Sequence, residues 1–206
     1  MARNHKEVIV EKAFELFLNK GYEATSLQAI ITAANSSKGA VYHHFPSKYH
    51  IYLAVLDSYF FSLFERIQLK DVALSFEKRI QQRYFFFVEL LHFIELTGSG
   101  VSFPIRKYFL FQLSSERDAA IHERIQATLG VYHHEVLTIV TQARESGVLH
   151  TGISTSAVAQ QLISMIEGLV IHHSTVERGV KELLSEKYEE VIAPYLQLLT
   201  NRSNHE

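Results

Sequence analysis

With 206 residues, 47% hydrophobic and 20% charged, the chain has ordinary globular composition, room for one large domain or two small ones, and too much apolar content for a disordered polymer. The absence of cysteine excludes disulfides, thiolate metal sites, a cysteine nucleophile and thiol redox sensing. No run approaches the ~20 apolar residues of a membrane span and the N-terminus has no uncharged apolar stretch, so a cytoplasmic protein with no membrane partner is expected. The formal charge of -2 divides unevenly: residues 1–50 hold six Lys/Arg against four Asp/Glu, and the remainder holds 14 against 18.

In chain order, residues 4–20 read as a helix with Val8, Ile9, Ala13, Leu16 and Phe17 on one face and Gly21 as its C-terminal cap. Thr25 is placed to cap a second helix, with Gln28 completing a capping box and Leu27, Ile30 and Ile31 at helical spacing. That helix should end near Ala34-Asn35, since asparagine tolerates a left-handed turn, and Ser36 or Ser37 opens a third helix from Lys38 to Phe45, closed by Pro46. Two short helices joined by such a turn form a helix-turn-helix, whose second helix is small enough to lie in a DNA major groove. From Ser47 an unbroken helix is expected to about Leu69, with apolar positions from Ile51 to Ile67, and such a helix can transmit rotation between a head and a body.

Further helices are expected over residues 76–97, capped by Ser75 and stopped at Gly98; over 103–113, with Pro104 in the first turn; over 117–146, ending at Gly147; over 155–176; and over 180–199. The Tyr84-Phe85-Phe86-Phe87 run is apolar all round and should be buried on more than one side. Pro194 should kink or shorten the last helix, and residues 201–206 should fray. The fold class is all-α, about nine helices: a three-helix head over 1–47 and a helical bundle over 48–206.

The third helix carries mixed chemistry outward: Ser37, Lys38, Gly39, Tyr42, His43 and His44, with Val41 and Phe45 inward. Gly39 leaves room for a phosphate or sugar to approach, and Pro46-Ser47-Lys48 sets a cation at a new helix N-terminus, where an anion is favoured. Tyr42 and Lys48 are candidates for phosphate contacts, Lys38 and His43 for base edges, and Thr25, Ser36, Ser37, Gly39 and His44 complete the expected DNA-binding set.

Ala13, Phe14, Leu16, Phe17, Gly21, Tyr22, Thr25, Ile30, Ala33, Ser37, Gly39, Tyr42, His44, Phe45, Ser47 and Lys48 together resemble the DNA-binding domain of the TetR family of bacterial transcriptional regulators. Asn35-Ser36 stands where the family usually has Gly-Val, and Tyr49 where it usually has glutamate. The resemblance implies a ligand-responsive regulator of transcription, usually a repressor, that binds double-stranded DNA at a palindromic operator and leaves it when a small-molecule effector occupies the helical body.

It also implies a homodimer built by the last two helices. Leu162, Ile166, Gly168, Leu169, Tyr188, Val191 and Tyr195 are the interface candidates, with ordinary core as the alternative, and a two-fold pair would set its reading helices about 34 Å apart or more. Phe85, Glu89 and His92 share a helical stripe, and Phe103, Tyr108, Phe111, Tyr132, His133 and Glu167 supply further candidate walls of an effector pocket; the alternative is that these aromatics fill the core. No cofactor or metal is expected, since adjacent imidazoles such as His133-His134 and His172-His173 point about 100° apart on a helix. No nucleophile elbow or phosphate-binding loop organises the Ser, His and acidic residues, so no enzyme is expected.

Overall fold

The computed structural model describes residues 4–65, 73–98, 100–115 and 118–201, and every regular element among them is helical. In order these are α1 (His5–Ala24), α2 (Leu27–Ala33), α3 (Lys38–His44), α4 (Lys48–Leu56) running through a π-helical segment (Asp57–Phe61) into α5 (Ser62–Glu65), α6 (Phe76–Thr97), α7 (Pro104–Ser115), α8 (Ala119–Glu145), α9 (Thr155–His172), and α10 (Val180–Lys187), which passes through a second π segment (Tyr188–Ile192) into α11 (Ala193–Thr200). Counting each run through a π segment as one helix gives nine among the described residues, as the sequence predicts. The chain divides into two compact units, one of Met1–Arg66 with Phe93–His122 and one of Ile67–His92 with Glu123–Glu206.

Local chemistry sets most boundaries in the first unit. The Asn4 side chain caps α1 by accepting from Lys6 N–H, and Gly21, at φ 79°, breaks the helical path where glycine was expected to. Asn35 takes φ 47° in the turn before α3, a conformation asparagine bears better than most residues. The cap of α2 departs from expectation. Ser26, not Thr25, accepts the hydrogen bond from Ala29 N–H, while Thr25 is buried and donates its hydroxyl to Gly21 O at 2.8 Å. Ser37 caps α3, accepting from Ala40 N–H at 3.1 Å.

Aromatic rings fill this unit. Phe14 stacks on Tyr59 at 3.9 Å and meets Tyr108 and Phe111 edge-on at 6.4 and 6.2 Å. In the first π segment Ser62 N–H reaches back to Asp57 O, and the Tyr59 carbonyl accepts the buried Tyr108 hydroxyl at 2.8 Å. Tyr59, Phe60 and Phe61 are all buried, so the widened turn packs three consecutive rings inward. Between α6 and α7 the chain closes tightly on Gly98, where a Cβ would sit 2.9 Å from Pro104 Cβ and 3.0 Å from Ile94 O. The expected continuation of the α4–α5 helix to Leu69 lies outside the described residues.

Tyr49, the residue at the unusual position, has its own partner. Its hydroxyl donates to Asp118 Oδ2 at 2.8 Å, and the other oxygen of that carboxylate caps α8 by accepting from Ala120 and Ile121 N–H. The Tyr49 hydrogen bond first, then the backbone donors, hold the Asp118 carboxyl below its ordinary range, while the same bond raises the Tyr49 phenol. A depressed carboxyl contributes stability above its unfolded pKa of about 3.9 and loses it as pH falls through the lower folded value. An NMR titration should therefore find Asp118 below the usual carboxylate range and find it raised in Tyr49→Phe; identical titrations in the two proteins would refute the link.

In the second unit, α6 and α8 run antiparallel along a ladder of side chains: Arg79 Nη1 donates to Gln142 Oε1 at 2.7 Å, Arg83 Nε lies 3.6 Å from Glu135 Oε2, and Phe87 meets Tyr132 edge-on at 4.9 Å. Tyr84 donates to Leu184 O at 2.6 Å, and its ring and that of Phe85 pack on Tyr188. Of the Tyr84–Phe87 run only Tyr84 is fully buried, and the three phenylalanines are half-buried. Pro194 does not end its helix: the distortion it demands takes the form of the π segment just upstream, and α11 continues to Thr200. Helix α9 stops at His172, short of the expected Val176, as the chain enters His173-Ser174-Thr175, residues of modest helix propensity.

Candidate nucleic-acid interface

Helix α3 is held from behind and open in front. Val41 and Phe45 are buried, and Lys6 of α1 stands 5.8 Å from the Phe45 ring centroid. On the other side Lys38, Gly39, Tyr42 and His43 are exposed, with the Lys38 ammonium 5.9 Å over the Tyr42 ring. A Cβ on Gly39 would meet nothing within 4 Å, and its φ is not left-handed, so neither packing nor backbone conformation within the chain calls for glycine there.

The expected DNA-binding residues fall into three groups. Lys38, Gly39, Tyr42 and His43 form the exposed face. Ser36, Ser37, His44 and Lys48 already have intramolecular roles: the Ser36 hydroxyl is 2.8 Å from His5 Nε2, Ser37 caps α3, the His44 ring lies 6.1 Å from that of His5, and Lys48 Nζ donates to Tyr22 O at 2.9 Å while standing 4.2 Å over the Tyr22 ring. Thr25 is 1% exposed, which makes its side chain a support for the turn and not a surface contact. At the start of α4, Ser47 makes no capping bond to the backbone; its hydroxyl pairs with His50 Nδ1 at 2.9 Å.

The effector and pairing residues are more scattered than the sequence suggested. Tyr108 and Phe111 are core residues of the first unit, where they pack on Phe14, and Phe111 also stacks on Phe17 at 6.3 Å. Phe103 is exposed in the same unit, at φ 53°. In the second unit Phe85 and His92 are half-buried, Glu89 is exposed with its carboxylate 2.7 Å from Lys181 Nζ, Tyr132 is buried, and His133 Nε2 lies 3.6 Å from Glu167 Oε1. An open groove of about 700 Å³ in the first unit is lined by Asn4, Lys6, Glu7, Val10, Glu11, Ala54, Asp57, Ser58, Tyr59 and Phe93, none of which was expected to meet an effector.

Leu162, Ile166 and Tyr188 are buried within the single chain, so they belong to its own core and not to a surface that pairs with another copy. Gly168, Leu169, Val191 and Tyr195 keep some exposure, with the Tyr195 hydroxyl donating to Gln161. Ile171 and Leu198, 59% and 73% exposed, are the apolar surface residues of α9 and α11 that periodicity alone did not single out. No helix among the described residues is long and apolar enough to cross a membrane.

The model of the bacterial regulatory proteins of the tetR family matches residues 9–55, which span α1 to α3 and most of α4. The chain is 30% identical over 135 residues to the HTH-type transcriptional regulator YuxN of Bacillus subtilis, covering 63% of this chain and 46% of that one, so it spans about half of that relative's length. It is 26% identical over 204 residues to the HTH-type transcriptional repressor DhaR of Mycobacterium sp., covering 97% of this chain and 96% of that one. Among solved structures, the ketosteroid transcriptional regulator KstR2 of Mycobacterium tuberculosis superposes with a TM-score of 0.74 at 17% identity, over 98% of both chains, a likeness of fold. A helix-turn-helix anchored by Val41 and Phe45, matched by the family model over the same residues and continued by a helical body of the same fold, is what the chain shares with these proteins: residues 9–55 are a DNA-binding domain of the tetR family of bacterial regulatory proteins.

Proposed function

We propose that the chain is a homodimeric repressor that holds a palindromic operator through α3 and releases it when a small-molecule effector binds in the helical body. The observation that carries the reading is the outward face of α3, where Lys38, Gly39, Tyr42 and His43 are exposed on a helix fixed from behind by Val41 and Phe45. Tyr42 serves as a phosphate contact that sets position, Lys38 and His43 read base edges, and the bare Gly39 backbone lets the duplex come close. The unused backbone N–H groups at the start of α4 and the Lys48 ammonium beside them favour a further phosphate.

On this reading residues 1–47 read DNA in the cytoplasm, while residues 48–206 pair the subunits and sense the effector. Pairing falls to the exposed and half-buried positions of α9, the second π segment and α11, Gly168, Leu169 and Ile171 with Val191, Tyr195 and Leu198, and the two-fold axis of such a pair imposes two-fold symmetry on the operator. The name of the relative DhaR supports repression. The effector must bind the released state more tightly than the DNA-bound one, because equal affinity for both would shift nothing. Light scattering together with footprinting on the DNA upstream of the chain's own gene tests this: a dimer in solution and a two-fold-symmetric footprint are expected, and a monomer or an asymmetric footprint would overturn it.

A further inference from the structure

The α6–α8 seam of the second unit holds more polar groups than it satisfies. Arg79, Arg83 and Tyr132 are 8%, 5% and 1% exposed, and the Nε atoms of both arginines and the Tyr132 hydroxyl have no hydrogen-bond partner among the described residues. Arg83 Nε faces Glu135 Oε2 at 3.6 Å, too long for a hydrogen bond, and that carboxylate oxygen is likewise without one. Burial lowers the Arg83 guanidinium and raises the Glu135 carboxyl, the signature of a pair that does not repay its desolvation. The buried Arg83 guanidinium faces the half-buried Glu135 carboxylate, and the half-buried Glu167 carboxylate also acts on Tyr132, yet neither satisfies the two Nε atoms or the Tyr132 hydroxyl, and each unpaired buried donor is costly in a folded protein.

Several such groups on two facing helices are unusual in a native core and would be satisfied by a guest that brings its own acceptors. What the guest must supply follows from the donors: acceptor oxygens carrying negative charge, since guanidinium offers only N–H and Tyr132 stands ready to donate its hydroxyl. The same stretches of the two helices carry buried apolar side chains, Ile80 and Val88 on α6 and Val136 and Ile139 on α8, and Phe87 lies edge-on to the Tyr132 ring. We propose that this seam binds an organic monocarboxylate with an apolar body, its carboxylate received by Arg79, Arg83 and the Tyr132 hydroxyl. The proposal rests on the effector-released reading above and gives that effector its chemical class.

Octanoate serves as the probe, with octanol, octylamine and inorganic phosphate as the neutral, cationic and headless counterparts, and thermal unfolding of the full chain as the readout. Octanoate should raise the melting temperature in a dose-dependent way and the other three should not. Tyr132→Phe keeps the ring, and Arg83→Met keeps the length of the side chain. Both should weaken octanoate by about ten- to a hundredfold, the loss of a charge-assisted hydrogen bond. Tyr132→Phe should also melt higher than the parent without ligand, because it deletes an unpaired buried hydroxyl. Octanol matching octanoate, phosphate matching octanoate, no response to octanoate, or an undiminished response in both variants would each overturn the proposal. Operator binding measured in parallel separates the two readings: octanoate that stabilises the chain through Arg83 and Tyr132 yet leaves operator affinity unchanged upholds the carboxylate site and refutes release by this effector.

Discussion

Replacing Lys38 and Tyr42 together by alanine is expected to weaken operator binding by about ten- to a hundredfold while leaving helix content and melting temperature unchanged. Both side chains are exposed, and the contact between them, Lys38 Nζ 5.9 Å over the Tyr42 ring, is a surface one, so folding loses little. The single variants separate their roles. Tyr42→Ala should weaken all operator variants alike, as loss of a phosphate contact does, and Lys38→Ala should flatten the preference at one base position. Gly39→Ala supplies an independent arm: a Cβ there meets open space and alanine favours a helix over glycine by about 1 kcal/mol, so the variant should be more stable and yet bind the operator less well. Lys48→Ala is a poorer probe, because Lys48 Nζ bonds the Tyr22 carbonyl and its loss disturbs the head as well as any phosphate contact. Gel shifts in which the double variant and Gly39→Ala both keep the parent's affinity would refute the assigned surface.

The head was legible in the sequence because its signals are local. Gly21 and Asn35 sit at positive φ, Ser37 caps α3, and Val41 and Phe45 face inward, each foreseeable from a residue and its near neighbours. Even there, a neighbouring pair of hydroxyls misled: Thr25 and Ser26 are equally good caps on paper, and only the packing of Thr25 against the Gly21 carbonyl decides between them. The body was less legible because helical periodicity marks which face is apolar and not what covers it. Leu162, Ile166 and Tyr188 share stripes with residues that stay exposed, and the single chain buries them itself. Tyr108 and Phe111 belong to a run whose rings turn out to serve the first unit's core. The buried arginines carry no such signal: nothing in the sequence around Arg79 and Arg83, four apart on an aromatic-rich helix, marks them for burial until α8 is laid beside them. The π segments carry no local signature except Pro194 for the second, and without the first the Tyr59 to Phe61 rings would not turn inward together.

Phe14→Ala should be the most damaging single substitution to stability, at about 3–5 kcal/mol. Phe14 is 0% exposed and touches three rings from two elements: Tyr59 of the π segment face-on at 3.9 Å, and Tyr108 and Phe111 of α7 edge-on. Truncation removes the transfer free energy of the ring and opens a space that stiff aromatic neighbours collapse into poorly, and it also forfeits the ring-on-ring geometry. The Tyr108 hydroxyl adds to the cost, because it is held to Tyr59 O at 2.8 Å and any drift of Tyr59 into the gap strands a buried donor whose phenol burial already pushes far above its ordinary range. Phe14→Leu, which refills much of the volume, should recover a good part of the loss. Urea unfolding checks this through a lower midpoint at unchanged slope, and a midpoint within error of the parent would show that the cluster does not anchor α1. Since α1 also braces α3 through Lys6 over Phe45 and His5 on Ser36, operator affinity should fall in step with the fraction folded and recover when the protein is cooled toward its temperature of maximum stability.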